Sequence, residues 1–181
     1  MLTGSKSAHP HIAYAAYATP LKQMLFTIKY HADRKLANSL GQYLGLWYLS
    51  QWPAPDLIVP IPLHPERLAS RGYNQAEELA LGLGKSLHRP CRLLLERQIN
   101  TPALHDLNPT ERHAVMRTAF VQARQQSFAP GSRILLIDDI LTTGSTLLHA
   151  AACLRTQTDR IVSLSLARAL FKPEHSDKQQ S

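Results

Sequence analysis

With 181 residues, 44% of them hydrophobic and 18% charged, the chain has room for one domain with a filled core and is too short for two of ordinary size. Twenty Lys and Arg against thirteen Asp and Glu leave a formal net charge of +7, which admits a phosphate, nucleotide or nucleic-acid partner as readily as a merely solvated basic surface. Cys91 and Cys153 lie far apart, outside any Cys-x-x-Cys pair, which excludes a zinc site built from cysteine; no apolar run nears the roughly 18 residues of a bilayer-spanning helix and the start has no signal-peptide pattern, so a cytoplasmic protein is expected.

Residues 1 to 12 and 173 to 181 are polar and read as tails around a single domain spanning 13 to 172. The first predicted helix carries Leu21, Met24, Leu25 and Ile28 at helical spacing, with Thr19 as its cap and Pro20 in its first turn. A second runs from about Asp33 to Tyr48 with Leu36, Leu40, Leu44 and Trp47 on one face. Prolines then bracket a short β-branched strand, Leu57 to Val59, and a long loop is expected through LHPERLASRGYN. Asn74 caps the helix QAEELALGLGKSL, and CRLLLE reads as a further strand. From Arg97 to about Arg117 no period is sustained, and a polar excursion of about twenty residues inside a domain is more often functional than idle. AFV, RILLID and DRIVSLSLARAL read as strands, with a helix opening at Ser145 between the last two. The alternation of strands and helices predicts an α/β fold with a mostly parallel, helix-covered central sheet. Trp47 and Trp52 are expected in core packing, and no interleaving of aromatic and basic residues is visible along the chain.

The stretch ILLIDDILTTGST, Ile134 to Thr146, concentrates the chemistry. Ligands of parallel sheets sit beyond the carboxyl ends of the strands, which is where Asp138 and Asp139 fall. Two adjacent carboxylates repel and need hydrogen-bond donors, and vicinal sugar hydroxyls would supply them. The loop that follows opens a helix whose first-turn amides and dipole favour an anion. Gly144 lets the backbone approach that anion, and Thr142, Thr143, Ser145 and Thr146 bring hydroxyl donors. The parts together describe a ribose 5-phosphate cradle. A Walker-type nucleotide hydrolase would need a G-x-x-x-x-G-K-[ST] loop that is absent, and a haloacid-type phosphatase would need Asp-x-Asp where Asp–Asp–Ile stands.

ILLIDDILTTGST resembles the phosphoribosyl pyrophosphate motif of type I phosphoribosyltransferases, and VPIPLHPERLASRGYNQAEELA, Val59 to Ala80, resembles the signature of the ComF/GntX family of phosphoribosyltransferase-like proteins associated with DNA uptake in competent bacteria. LKQMLFTIKYHADRKLANSLG is similar to that family's leading helices, so the likeness runs from about Tyr14 to Leu170. The resemblance implies the type I phosphoribosyltransferase fold with a mobile hood. It makes Leu63 and His64 the start of a pyrophosphate loop with Arg67 and Arg71 as cationic arms, adds ligand contact for Tyr73, Asn74 and Gln75, and places Thr101, Arg112 and Phe120 in the hood pattern. Leu104 and Val115 stand where the family tends to have glutamine and asparagine. Magnesium is expected to arrive with the substrate, with no direct protein ligand assigned. ComF-like proteins often open with a cysteine-rich zinc module, whereas this sequence begins almost at the first helix and reads as a shortened relative or a truncated reading frame.

Two functions follow as expectations. One is a phosphoribosyltransferase, a glycosyltransferase-class activity in which Asp138 and Asp139 hold the ribose hydroxyls and the acceptor is unknown. The other is a non-catalytic accessory protein of DNA uptake that binds single-stranded DNA or a competence partner, with no membrane insertion.

Overall fold

The apolar runs centred on Ile58, Leu136 and Leu164 are strands in the computed structural model of the protein, which describes residues 10–99, 118–124 and 126–170. Four strands, β1 (His11–Ala16), β2 (Leu57–Pro60), β5 (Ile134–Leu141) and β6 (Ile161–Arg168), form one sheet in the order β1-β6-β5-β2, and every pairing in it is parallel. Successive side chains of a strand point to opposite faces, and here both faces are covered. Leu57, Val59, Ile134, Leu136 and Ile161 bury on one side with Leu147, Ala150, Ala151 and Leu154 of α5 (Ser145–Leu154). Ile58, Leu135, Ile137 and Leu164 bury on the other with α2 (Arg34–Leu49) and α4 (Gln75–Leu87). Fully burying each such Leu or Ile contributes about 1.5–3 kcal/mol. The expected parallel, helix-covered sheet is therefore present.

Local signals account for most of the helix ends. The Asp33 side chain accepts from the Leu36 amide at the head of α2, and Asn74 accepts from the Ala76 amide at the head of α4. Thr19 is not the cap of α1 (Leu21–His31): Pro20 holds that position and no side chain caps it. Helices α2 and α4 meet at backbone distance. A Cβ on Gly41 would stand 2.1 Å from the Leu79 carbonyl oxygen, and one on Gly82 would stand 2.0 Å from that of Asn38. At the opposite end of the sheet from the candidate site, Arg133 donates to Asp56 through its amide and its guanidinium, at 2.8, 2.8 and 3.3 Å, joining the entries of β2 and β5. These hydrogen bonds from Arg133 hold the Asp56 carboxyl down at about 2.

Four expectations are corrected. Strand β1 begins at His11, inside the segment read as a tail; its alternation of Ala and Tyr is a weak strand signal, and the strand is held at the sheet edge by pairing with β6. The expected loop after β2 contains α3 (Pro65–Arg71), with His64 as N-cap, proline in its first turn and Gly72 in the left-handed C-cap position. It buries no residue, so the apolar period that marks the other helices is missing. CRLLLE is not one strand: Cys91 makes a single bridge to Ile58, and the chain then leaves the main sheet so that β3 (Leu95–Arg97) pairs antiparallel with β4 (Phe120–Gln122) in a separate ribbon. Finally, Phe26 and Tyr30 on α1 are exposed with ring centroids 4.7 Å apart and planes tilted by 41°, an exposed aromatic pair on a helix that also carries the exposed Lys22. Trp47 and Trp52 do join the core side, their ring centroids 5.4 Å apart.

Candidate functional site at the carboxyl end of the parallel sheet

The site is assembled where β5 and β2 end. The Ile61 amide donates to the Ile137 carbonyl at 2.9 Å, so the chain leaving β2 runs beside the twin acids. The buried Asn74 caps α4 and donates from Nδ2 to the Ile61 carbonyl at 2.9 Å, fixing the far end of the loop that carries α3. Leu63 and His64 are half-buried, Arg67 is exposed and Arg71 is half-buried. The His64 imidazole is occupied locally, accepting from the Glu66 amide.

The two acids follow one another near the end of β5, where the strict alternation of the strand is lost: Ile140 packs with Leu135 and Ile137, and Leu141 packs with Ile134 and Leu136. Asp139 is 5% exposed and accepts from Lys29 Nζ at 2.6 Å and Gln75 Nε2 at 3.4 Å, both at Oδ2. Gln75 Oε1 in turn accepts from Arg71 at 2.7 Å, so a polar chain connects Arg71 to Lys29 through the second acid. Asp138 lies in register with Ser165 of β6, whose buried hydroxyl has no hydrogen-bond partner among the described residues. Burial first, and the Asp139 charge second, push the Asp138 carboxyl up to about 7.

Arg97, at the end of β3, belongs to the same electrostatic cluster. Its pKa is lowered by burial and by the charge of Arg67, and Asp138 opposes that shift. The guanidinium also lies over the Phe120 ring, 5.4 Å from its centroid, inside the roughly 6 Å reach of a cation–π contact. An anion arriving between Arg67 and Arg97 would relieve their repulsion.

The loop after β5 has the form expected of an anion cradle. Thr142 and Thr143 are exposed, while Gly144, Ser145 and Thr146 are half-buried. Gly144 is the N-cap of α5 at φ 80°, in the left-handed region, and no side chain caps the helix. The Ser145 amide has only a long contact to Thr143 Oγ1 at 3.4 Å. A Cβ at Gly144 would stand 3.8 Å from His11 Cε1, so the imidazole of β1 lies under the turn.

The structure thus brings together Asp138, Asp139, Arg67, Arg71 and the 142–146 loop. Thr101 and Arg112 of the expected hood lie outside the described residues, as do Leu104 and Val115; the ribbon β3–β4 holds the two ends from which that segment departs. Three neighbours of the site escaped the sequence reading: Lys29, Arg97 and His11. Lys29 is the one cation on the inner side of a helix whose Leu25 and Ile28 are fully buried, a departure from amphipathic pattern that could have drawn notice. Arg97 and His11 offered no such signal.

An all-parallel sheet with paired acids and a glycine turn at its carboxyl end is the architecture of type I phosphoribosyltransferases, and solved structures agree. Adenine phosphoribosyltransferase from Leishmania donovani superposes with a TM-score of 0.50 at 14% identity, covering 94% of this chain and 91% of that one. The Leishmania tarentolae enzyme does so with 0.50 at 14%, covering 93% and 94%. No family model matches the chain. Among curated relatives, it is 33% identical over 162 residues to competence protein F of Haemophilus influenzae, covering 84% of this chain and 70% of that protein. It is 34% identical to competence protein ComFC of Bacillus subtilis, spanning 76% of this chain and 55% of the relative, and 30% identical to DNA utilization protein YhgH of Escherichia coli K12, spanning 79% and 64%. The chain belongs to the ComF family. It spans little more than half the length of the Bacillus relative. Among the described residues no helix is long and apolar enough to cross a membrane.

Proposed function

We propose that the chain binds phosphoribosyl pyrophosphate with Mg²⁺ and transfers the phosphoribosyl group to an acceptor whose nature the site does not specify. The observation that carries this reading is the uncapped N-terminus of α5, turned by Gly144, beside the Asp138 carboxyl at the end of an all-parallel sheet. The 5-phosphate would take the amides of the α5 first turn and the hydroxyls of Thr142, Thr143, Ser145 and Thr146. The sugar hydroxyls would meet the acidic end of β5, and the diphosphate would lie toward Leu63, His64, Arg67 and Arg71, with Arg97 close by. In the transfer, the bond from the anomeric carbon to the diphosphate oxygen breaks, the diphosphate leaves with the electron pair, and the acceptor's lone pair forms the new bond. The cationic sugar between these steps is stabilised by position and charge rather than by a covalent protein nucleophile.

Asp139 is already ion-paired with Lys29, and among the described residues no cluster of three His, Cys, Asp or Glu side chains could hold a metal. A Mg²⁺ would enter chelated by the diphosphate and neutralise its charge. Phosphoribosyl pyrophosphate with Mg²⁺ is expected to raise the melting temperature by several degrees at about 100-fold excess over Kd. Asp138→Asn combined with Asp139→Asn should abolish that rise while the protein stays folded by circular dichroism. No rise in the wild type at millimolar ligand sinks the reading.

A second function is favoured by one observation on α1. Phe26 and Tyr30 are 54% and 68% exposed, with ring centroids 4.7 Å apart. The helix also carries the exposed Lys22 and His31, the latter with its ring 5.8 Å from that of Phe26, and no acidic residue precedes Asp33 in the whole chain. Exposed rings beside cations suit stacking against bases of single-stranded DNA, and relatives are named for competence and DNA utilization. Phe26→Ala with Tyr30→Ala is expected to weaken binding of a labelled oligothymidine about tenfold in fluorescence anisotropy. The salt dependence should persist, because phosphate contacts remain. Wild-type protein that binds no oligonucleotide at about 50 mM salt, where such contacts are strong, removes this function.

A further inference from the structure

Both oxygens of Asp139 have donors within the protein. Oδ1 accepts from the Ile140 amide at 2.9 Å, and Oδ2 accepts from Lys29 at 2.6 Å and Gln75 at 3.4 Å. Gln75 is held from its other end by Arg71 at 2.7 Å. Asp138 differs: its Oδ1 accepts from the Asp139 amide at 2.9 Å, and among the described residues no Lys or Arg is ion-paired with it. A carboxylate already matched to an ammonium and an amide gains little from sugar hydroxyls, because it would exchange good donors for equivalent ones. A carboxylate lacking a cation gains much more.

We infer that the adjacent acids divide their work: Asp138 alone receives the ribose hydroxyls, while Asp139 is an internal counter-ion that joins Lys29 of α1 to Gln75 and the Arg71-bearing loop. Lys29 is then a positioning residue for a site it does not touch. Its ammonium offsets the second negative charge beside Asp138, and the Gln75–Arg71 link makes the orientation of the cationic arm depend on the same anchor. The inference rests on the proposed ligand class only for what Asp138 receives; the internal arrangement stands apart from it.

Of the charged or titratable groups, Asp139 on its own strand and Lys29 on α1 act on Asp138 and Arg97 on β3 interacts with it, while the neighbouring elements also carry Glu66, Arg67 and Arg71 on α3, Glu96 on β3, His11 on β1, Arg168 on β6 and His149 on α5. Of these, Asp139 raises the Asp138 carboxyl pKa, and Lys29 lowers it. Removing the Lys29 charge must therefore move Asp138 upward, whereas a lysine that merely packs would leave it unmoved.

The test follows the Asp138 side-chain carboxyl by carbon-13 NMR titration in the ligand-free protein, alongside calorimetric affinity for phosphoribosyl pyrophosphate with Mg²⁺. Lys29→Gln and Lys29→Met are expected to raise the Asp138 midpoint by about one pH unit, and Lys29→Arg should restore it. Asp138→Asn should cost about 100-fold in affinity and Asp139→Asn about tenfold or less, as expected for a lost ligand bond against a lost support. A midpoint unchanged in both Lys29→Gln and Lys29→Met, or equal losses for the two aspartate variants, overturns the division. If the wild type binds none of this ligand, the proposed function fails, and the titration alone upholds or overturns the role of Lys29.

Discussion

Gly82→Ala is expected to lower the unfolding free energy by about 2–4 kcal/mol, equivalent to a drop of roughly 5–10 °C in melting temperature for a domain of this size. Helix propensity alone predicts the opposite, because alanine is favoured over glycine by about 1 kcal/mol within a helix. Contact decides the sign. The added methyl would stand 2.0 Å from the Asn38 carbonyl oxygen, 2.8 Å from its carbon and 3.0 Å from the Gln42 amide nitrogen. All three are backbone atoms of α2, so no side-chain rotamer can make room and the helices must separate. Gly41→Ala meets the Leu79 backbone in the same way from the other helix. Urea denaturation of both variants checks the prediction, and values within about 0.5 kcal/mol of the wild type, the range of neutral surface changes, would mean that α2 and α4 do not approach so closely.

The second large effect lies in the pH dependence of stability. Asp138 has its folded pKa raised from the ordinary 3.8 to about 7 by burial and by Asp139. Between those values the native protein holds a proton that the unfolded chain has released, so stability declines as pH rises through the interval and the full penalty is present above it. A displacement of about three pH units corresponds to about 4 kcal/mol as an upper bound. Because the residue keeps some solvent contact, about 2 kcal/mol is expected between pH 5 and pH 8. Asp138→Asn should remove this decline, making the variant relatively more stable at pH 8 than at pH 5 when each is compared with the wild type. Paired denaturation curves at the two pH values provide the measurement. Parallel losses in both proteins would show that Asp138 is ionised at no unusual cost.

That penalty also explains which parts of the architecture could be read in advance. A run such as ILLI must be buried on both faces, and only a parallel sheet covered by helices does that in a chain where strands alternate with helices. The acids at its end and the glycine turn after them were equally legible, because their chemistry is local to thirteen consecutive residues. Long-range partnership was not. Lys29 lies 110 positions before Asp139, and its ordinary place on a helix gave no indication of the acid it meets. The same limit hid β1, whose His11 reaches the turn at Gly144 only after the strand has joined β6. Helix α3 was lost for another reason: its capping signals were present, but a helix that buries nothing has no apolar period to read. The different partners of Asp138 and Asp139 depend on the same long-range packing, and their adjacency in sequence invited a shared role.

The ribbon formed by β3 and β4 lies apart from the main sheet, whereas the acids and the glycine turn belong to a strand enclosed by neighbours on either side. On the proposed function, evolution could therefore alter the reacting partner by editing a peripheral appendage while leaving the central grip on the pentose untouched. Such an arrangement would let one ancestral scaffold diversify in chemistry with little risk to its folding.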